Sequence, residues 1–290
     1  MKLATFSTDL HRGVGLIKGE LIIPLSDAAR GIPAEMKNLV EKWDELADTV
    51  RRLGEEAANA IPLSQVKLNA PVARPSKVLA IGLNYADHVA ESGLETPKHQ
   101  LWFSKLVNSV SGPSDDIEIP VTSSQIDYEV ELVAVIGRQG RHISVEEAHR
   151  YVFGYCVGND VSARDWQMRT PQWILGKSFD THGPYGPYIT TAEDLGDPHS
   201  LGIRSYVNGE LRQNSNTKHL IFNVWDQISH LSQVMTLEPG DLIFTGTPGG
   251  VGVARTPPVF LKPGDVVRCE IDQLGAIENR CVDEKSTRAA

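Results

Sequence analysis

The 290-residue chain has no stretch of about 18 consecutive apolar residues, the minimum for a bilayer-spanning helix. Its first residues lack a basic segment followed by an apolar run, so no secretory signal is expected. Cysteine is scarce: Cys156, Cys269 and Cys281 are an odd number without paired spacing and read as small buried apolar side chains. Basic runs are also missing. Arg51-Arg52 is isolated within a helical pattern, and 37 acidic against 28 basic residues give a net charge of −9, which argues against a phosphate-binding nucleic-acid surface. There is no Gly-x-Ser-x-Gly elbow for a serine nucleophile, no Gly-Lys-Ser/Thr ending of a phosphate loop and no dinucleotide fingerprint. The composition is otherwise that of an ordinary globular protein, 41% apolar and 22% charged, with a reducing cytoplasm as the expected setting.

The patterning divides the chain. Val14–Ile17 and Leu21–Ile23 read as a hairpin with Gly19 in the turn. Over residues 34–60 apolar side chains recur at three and four, which predicts an amphipathic helix behind Pro33. Prolines 62, 71 and 75 punctuate the segment after this helix. Residues 1–70 are therefore expected to form a small N-terminal α/β domain and 71–290 a catalytic domain. Beyond Val78 strands dominate. Expected are strands at 78–81, 126–136 and 152–161, a short helix over 84–92, and a helix opened by the Ser144/Glu147 capping box. A hairpin is expected about Asn208-Gly209, a helix over 217–235, and two Pro-Gly-Asp turns at 239–241 and 263–265, each leading into a strand. Many strands and few helices favour an α+β, mostly β architecture.

Asp127-Tyr128-Glu129-Val130-Glu131-Leu132 carries the densest chemical information. Side chains alternate along a strand, so Glu129 and Glu131 share a face while Val130 and Leu132 turn to a core. Two carboxylates on one face repel, and desolvating them costs free energy. A cation between them removes that cost, and Asp160 in Gly158-Asn159-Asp160 supplies a third oxygen. With no Cys or His nearby, the donor set favours Mg²⁺, Mn²⁺ or Ca²⁺ over Zn²⁺. A solvated edge strand with two glutamates fits the spacing equally well.

Four further groups have two readings each. His88 and Glu91 share a helix face and form either a water-activating dyad or a surface pair. Lys177 lies in the shaped segment 176–187, where it could stabilise an enolate or simply be solvated. The loop from Gly246 to Gly252, with Thr247, comes after an apolar strand and either offers N–H groups to an anion or is a plain turn. Arg164, Asp165 and Gln167 could orient a substrate or make an ordinary polar loop.

Together these pieces resemble the fumarylacetoacetate hydrolase family. The resemblance is carried, in order, by Gly82-Leu83-Asn84-Tyr85 with His88 and Glu91; by Asp127 to Leu132; by Gly158 to Asp165 with Gln167; by Gly176 to Asp180 with Gly183-Pro184; and by Gly246 to Gly252. It spans roughly residues 75–280. It implies a mixed β-sandwich roll with a smaller N-terminal domain, usually a homodimer. It implies Mg²⁺ or Mn²⁺ held by Glu129, Glu131 and Asp160, and a 2-oxo acid with a second carbonyl as substrate. The implied reaction is hydrolysis of a carbon–carbon bond in a ketonic substrate, an acylpyruvate or 3-deoxy-2,4-dioxo sugar acid, through an enolate held at the metal. His88 and Glu91 would activate water and Lys177 would stabilise the enolate. Tyr85, Arg164, Gln167 and Thr247 would bind substrate. The same platform could instead decarboxylate an oxaloacetate-like acid or isomerise a 2-hydroxy-diene-dioate. A non-catalytic protein with structural Ca²⁺ is the alternative from another class. Residues 92–103 are expected to form a lid hinged at Gly93 with Trp102 and Phe103 as an apolar wall. His182 and Tyr185 are expected to read the far end of the substrate.

Overall fold

The computed structural model describes residues 1–26, 31–57, 59–87, 91, 95 and 97–285. The central element is Val130–Ile136, buried along its whole length. Its apolar residues serve two cores at once. Val130, Leu132, Ala134 and Ile136 enter one cluster, and Val133 and Val135 enter another on the opposite face. A strand covered on both sides has no need of polar alternation, which is why this run is almost continuously apolar.

Around it a large sheet runs in the order Ile61–Pro62, Leu21–Pro24, Arg12–Lys18, Lys2–Ser7, Gly183–Thr191, Val152–Asn159, Val130–Ile136, Leu242–Phe244, Val78–Gly82 and Leu101–Ser104. Most pairs are antiparallel, but Leu242–Phe244 runs parallel to Val78–Gly82. A second sheet orders Glu210–Asn216, Gly202–Val207, Val266–Ile271, Gly275–Asp283 and Ile117–Ile119. The first core lies between the sheets, where Ile203, Val267, Cys269 and Ile277 join Ile228 and Leu231 of helix Val224–Val234. The second core packs Met36, Leu39, Val40, Val50 and Leu53 against the large sheet. All three cysteines are free and buried, as the spacing implied. The architecture is mostly β, a mixed sandwich as expected. The segment 1–70 is joined to the rest by sheet: Lys2–Ser7 pairs with Gly183–Thr191.

Several boundaries differ from the sequence reading for local reasons. The helix expected over 34–60 is two, Met36–Glu41 and Trp43–Glu56, meeting at Lys42, whose φ of −103° and ψ of 16° leave the helical region. The helix expected over 217–235 begins only at Val224. Asn223 caps it by accepting from the Trp225 and Asp226 N–H groups, while Asp226 accepts from the Asn223 N–H. Ser144 accepts from the Glu147 N–H, but only a single 3₁₀ turn comes after it, at Ala148–Tyr151. The hairpin at Asn208-Gly209 forms as read, with both residues at positive φ.

Candidate active site

The expected long strand 126–136 is interrupted at Tyr128 and Glu129, and this interruption builds the site. Ile126–Asp127 pairs with Ser162–Ala163, whereas Val130–Ile136 pairs with Val152–Asn159. The neighbouring chain breaks at the same level, at Asp160 and Val161. The gap is stitched by the Asp160 N–H to the Glu129 carbonyl and by the Glu129 N–H to Asn159 Oδ1, both 2.9 Å. Glu129 and Asp160 thus leave regular pairing side by side. Glu131, one step into the strand, joins them: the three residues are buried and offer ligand oxygens within 4.8 Å of one another.

Cations surround two of the three. Lys177 Nζ donates to Glu129 Oε2 and to Asp160 Oδ2, each at 2.7 Å. Arg164 Nη1 lies 2.6 Å from Glu129 Oε1, and its Nε donates to Asp127 Oδ2 at 2.9 Å. Asp127 also accepts from the N–H groups of Gly252 and Val253, tying the glycine loop to Arg164. Burial works to lower the pKa of Lys177, but the carboxylates of Asp160 and Glu129 outweigh it and hold the group above its usual value. In Arg164 burial is likewise outweighed, by Glu129 and Asp127. Both stay cationic. Glu131 differs. Among the described residues no cation pairs with it, and its Oε2 accepts only the Gly246 N–H, at 2.9 Å. Burial first, then the charges of Asp160 and Glu129, push its pKa well up.

This donor set fits a hard divalent cation: three buried carboxylates, all oxygen, one of them paired with no cation among the described residues.

The other anticipated residues fall out unevenly. Gln167 is buried and its Oε1 accepts from Arg164 Nη1 at 3.0 Å, while Arg164 Nη2 has no partner among the described residues. Thr247 donates to the Val130 carbonyl and accepts from Gln213 Nε2, so one lone pair of its hydroxyl remains. Tyr85 is fully buried in the first core, and its hydroxyl has no partner among the described residues. Glu91 accepts the N–H of Gly250, in the glycine loop, at 2.7 Å. His88 lies outside the described residues, as do 92–94 and 96 of the expected lid. Leu101–Ser104 is an edge strand paired with Val78–Gly82, not part of a loop. Phe103 packs against the second core, with Lys177 Nζ 4.9 Å from its ring centre and Trp173 on it at 5.5 Å. Trp102 packs instead against the first core. His182 and Tyr185 are committed elsewhere. His182 is buried with Nε2 at 2.9 Å from the Glu118 carbonyl, and Tyr185 bonds both the N–H and the carbonyl of Val72.

Two residues escaped the sequence reading. Trp173 lies over Gly82, where an added Cβ would sit 2.4 Å from the indole. Lys105 is buried beneath the carboxylates and donates to Asp160 Oδ1 at 2.7 Å, to the Val161 carbonyl and to the Lys177 carbonyl. The Gly at 82 is a faint signal for the first. A single lysine closing a short aromatic strand gives none for the second.

A buried acidic triad ringed by lysine and arginine defines an enzyme site suited to a metal ion. Residues 77–282 match the family model described as fumarylacetoacetate (FAA) hydrolase C-terminal, and the chain belongs to the fumarylacetoacetate hydrolase family. It is 46% identical over 272 residues to a mitochondrial oxaloacetate tautomerase of Xenopus laevis, covering 93% of this chain and 85% of the relative. Among solved structures it resembles maleylpyruvate hydrolase from Sphingobium sp. SYK-6 in complex with manganese(II) ion and pyruvate. That likeness has TM-score 0.83 and 33% identity and covers 98% of this chain and 100% of the other. It also resembles a 2-hydroxyhepta-2,4-diene-1,7-dioate isomerase from Mycobacterium marinum, with TM-score 0.78, 32% identity and coverage of 99% and 100%. Among the described residues no helix is long and apolar enough to cross a membrane.

Proposed function

We propose that this protein is a divalent-cation-dependent enzyme acting on enolisable 2-oxo acids, and that it interconverts the enol and keto forms of an oxaloacetate-like diacid. The observation that carries the reading is the Lys177 ammonium, which bridges two of three buried carboxylates. The 46% identity to an oxaloacetate tautomerase supports the choice of reaction. Glu129, Glu131 and Asp160 would hold Mg²⁺ or Mn²⁺, which when bound supplies Lewis-acid polarisation of the 2-oxo group. Enolisation moves a proton from C3 and leaves negative charge on the 2-oxo oxygen. Lys177, kept protonated by Asp160 and Glu129, stands where it can stabilise that charge and acts as donor rather than base. His88, with Glu91, is the candidate for holding the C3 proton. Arg164 Nη2 is the donor left for a substrate carboxylate, with Gln167 fixing the guanidinium. Thr247 would meet the substrate, and Tyr85 would close the pocket behind it.

The second reading is hydrolysis of a 2,4-dioxo acid, in which His88 takes its proton from water instead. The likeness to a maleylpyruvate hydrolase holding manganese and pyruvate favours it. The assignment of chemistry to 71–290 belongs to the same proposal. Every candidate residue falls there, and 1–70 supplies strands and helices to the far core. The homodimer and the cytoplasmic setting are part of it on the family resemblance and the sequence patterning.

The test is to follow freshly dissolved enol-oxaloacetate by ultraviolet absorbance with MnCl₂ or MgCl₂, with and without EDTA, beside acetylpyruvate and maleylpyruvate followed by NMR. EDTA-sensitive acceleration of enol loss without release of an acid is expected. Pyruvate plus a carboxylic acid as products would replace the tautomerase with the hydrolase.

A further inference from the structure

Among the described residues, three cations bond the four oxygens of Glu129 and Asp160. Lys177 Nζ takes Glu129 Oε2 and Asp160 Oδ2. Arg164 takes Glu129 Oε1, and Lys105 takes Asp160 Oδ1. Lys105 and Lys177 therefore sit on opposite oxygens of one carboxylate and are not equivalent. The Lys105 ammonium has three donors and three acceptors, Asp160 Oδ1, the Val161 carbonyl and the Lys177 carbonyl, so its capacity is filled by fixed protein groups. Its side chain is 0% exposed. Lys177 spans the gap between two carboxylates of the acidic triad and pairs with no other acid among the described residues.

Resting on the cation site proposed above, we infer that Lys105 is a positioning residue: it locks the rotation of Asp160 and the backbone at Lys177 so that the cation meets a preset oxygen, whereas Lys177 competes with the cation for the oxygens it bridges. The two lysines then act on metal affinity with opposite sign. For Lys177 two effects add, since its removal deletes a positive charge and frees two oxygens. For Lys105 they oppose. Deleting a buried positive charge favours a cation by Coulomb's law. Releasing the ligand that this charge orients disfavours the cation, and loss of such supporting bonds weakens metal binding by about 10–100-fold. The inference is that orientation wins.

The experiment is calorimetric titration of MnCl₂ into the metal-stripped full-length protein without substrate, for wild type, K105M and K177M, with melting in EDTA as the control for folding. K105M is expected to bind Mn²⁺ about tenfold or more weaker, and K177M at least as tightly as wild type. At saturating Mn²⁺, turnover by K105M returns towards wild type, which a general packing defect would not allow. Should K105M not fold, K105Q, which keeps an amide donor but no charge, carries the same expectation. Unchanged or tighter binding by the Lys105 variants would overturn the inference. Because affinity is read without substrate, it stands or falls separately from the choice of reaction.

Discussion

Glu131 and Glu270 are both strand glutamates in a chain rich in acid–base pairs, and the fold drives them in opposite directions. Glu270 lies on the outer sheet, partly exposed, bonded by Arg204 Nε at 2.8 Å, Tyr206 Oη at 3.1 Å and Arg268 Nε at 3.3 Å. Those bonds, Arg204 first, hold its carboxyl below the usual range. Glu131 is 1% exposed, meets one backbone N–H and faces two other carboxylates. Its carboxyl is pushed well up by burial first and then by those charges. In the outer network pairing decides and water absorbs the remainder. In the inner one desolvation decides, and the residues are arranged so that the charge is still short of a partner. A surface network holds a shape. A buried one with an unpaired acid stores a demand for a cation.

Replacing each glutamate by glutamine exposes the contrast most strongly. Glu131→Gln removes one of three candidate ligands, and a loss of cation-dependent turnover of more than about 100-fold is expected. Without metal the same change should leave the melting temperature equal or higher, because a buried charge facing two like charges has been neutralised. Glu270→Gln should leave turnover unchanged. Steady-state rates and melting in EDTA check both. If Glu131→Gln retained full activity with metal, the inner network would be structural, as the outer one is.

His182 extends the comparison to a buried group with no ionic partner among the described residues. Burial, its largest influence, lowers its pKa to about 3 from an ordinary value of 6.5. The unfolded chain therefore takes up a proton on this ring from pH 6.5 downwards, while the folded protein takes one only near pH 3. Its share of stability is complete above pH 6.5 and is lost as pH falls from 6.5 towards 3. Between about pH 7 and about pH 5 this amounts to about 2 kcal/mol. Urea unfolding at the two pH values should show that loss, and His182→Leu should flatten it. An unchanged slope would mean that the ring takes up its proton over the same pH range in the folded and unfolded chain.

The site was readable where local pattern and tertiary fate coincide. Tyr128, Val130 and Leu132 turned into one core and Glu129 and Glu131 into one acidic cluster, because a buried strand leaves a carboxylate little choice of direction. The glycine loop kept its place because Asp127 and Glu131 bind its N–H groups. The features that were not legible depend on breaks and on distant neighbours. Nothing in Tyr128-Glu129 announces that the ladder changes partners there. Apolar spacing extends the 217–235 helix past its true start, although Asn223 and Asp226 spell a cap. Lys105 is separated by 55 residues from Asp160, and one lysine has no periodicity to read.

The smallest expected effect lies in the outer network. Arg204 binds Glu270 and Asp272, yet its side chain is 29% exposed and Asp272 is 48% exposed. Water already solvates most of these charges, so breaking the pairs lets solvent replace the lost bonds, and salt screens what attraction remains. Arg204→Ala should cost under about 1 kcal/mol by urea unfolding, less at high salt, with no change in metal affinity or turnover. The buried counterpart cannot behave this way, since Glu129 and Asp160 lie too deep for bulk water to replace Arg164 or Lys177 once either is removed. A cost for Arg204→Ala as large as that of cutting the inner network would mean that pairing geometry, rather than access to water, separates the two regions.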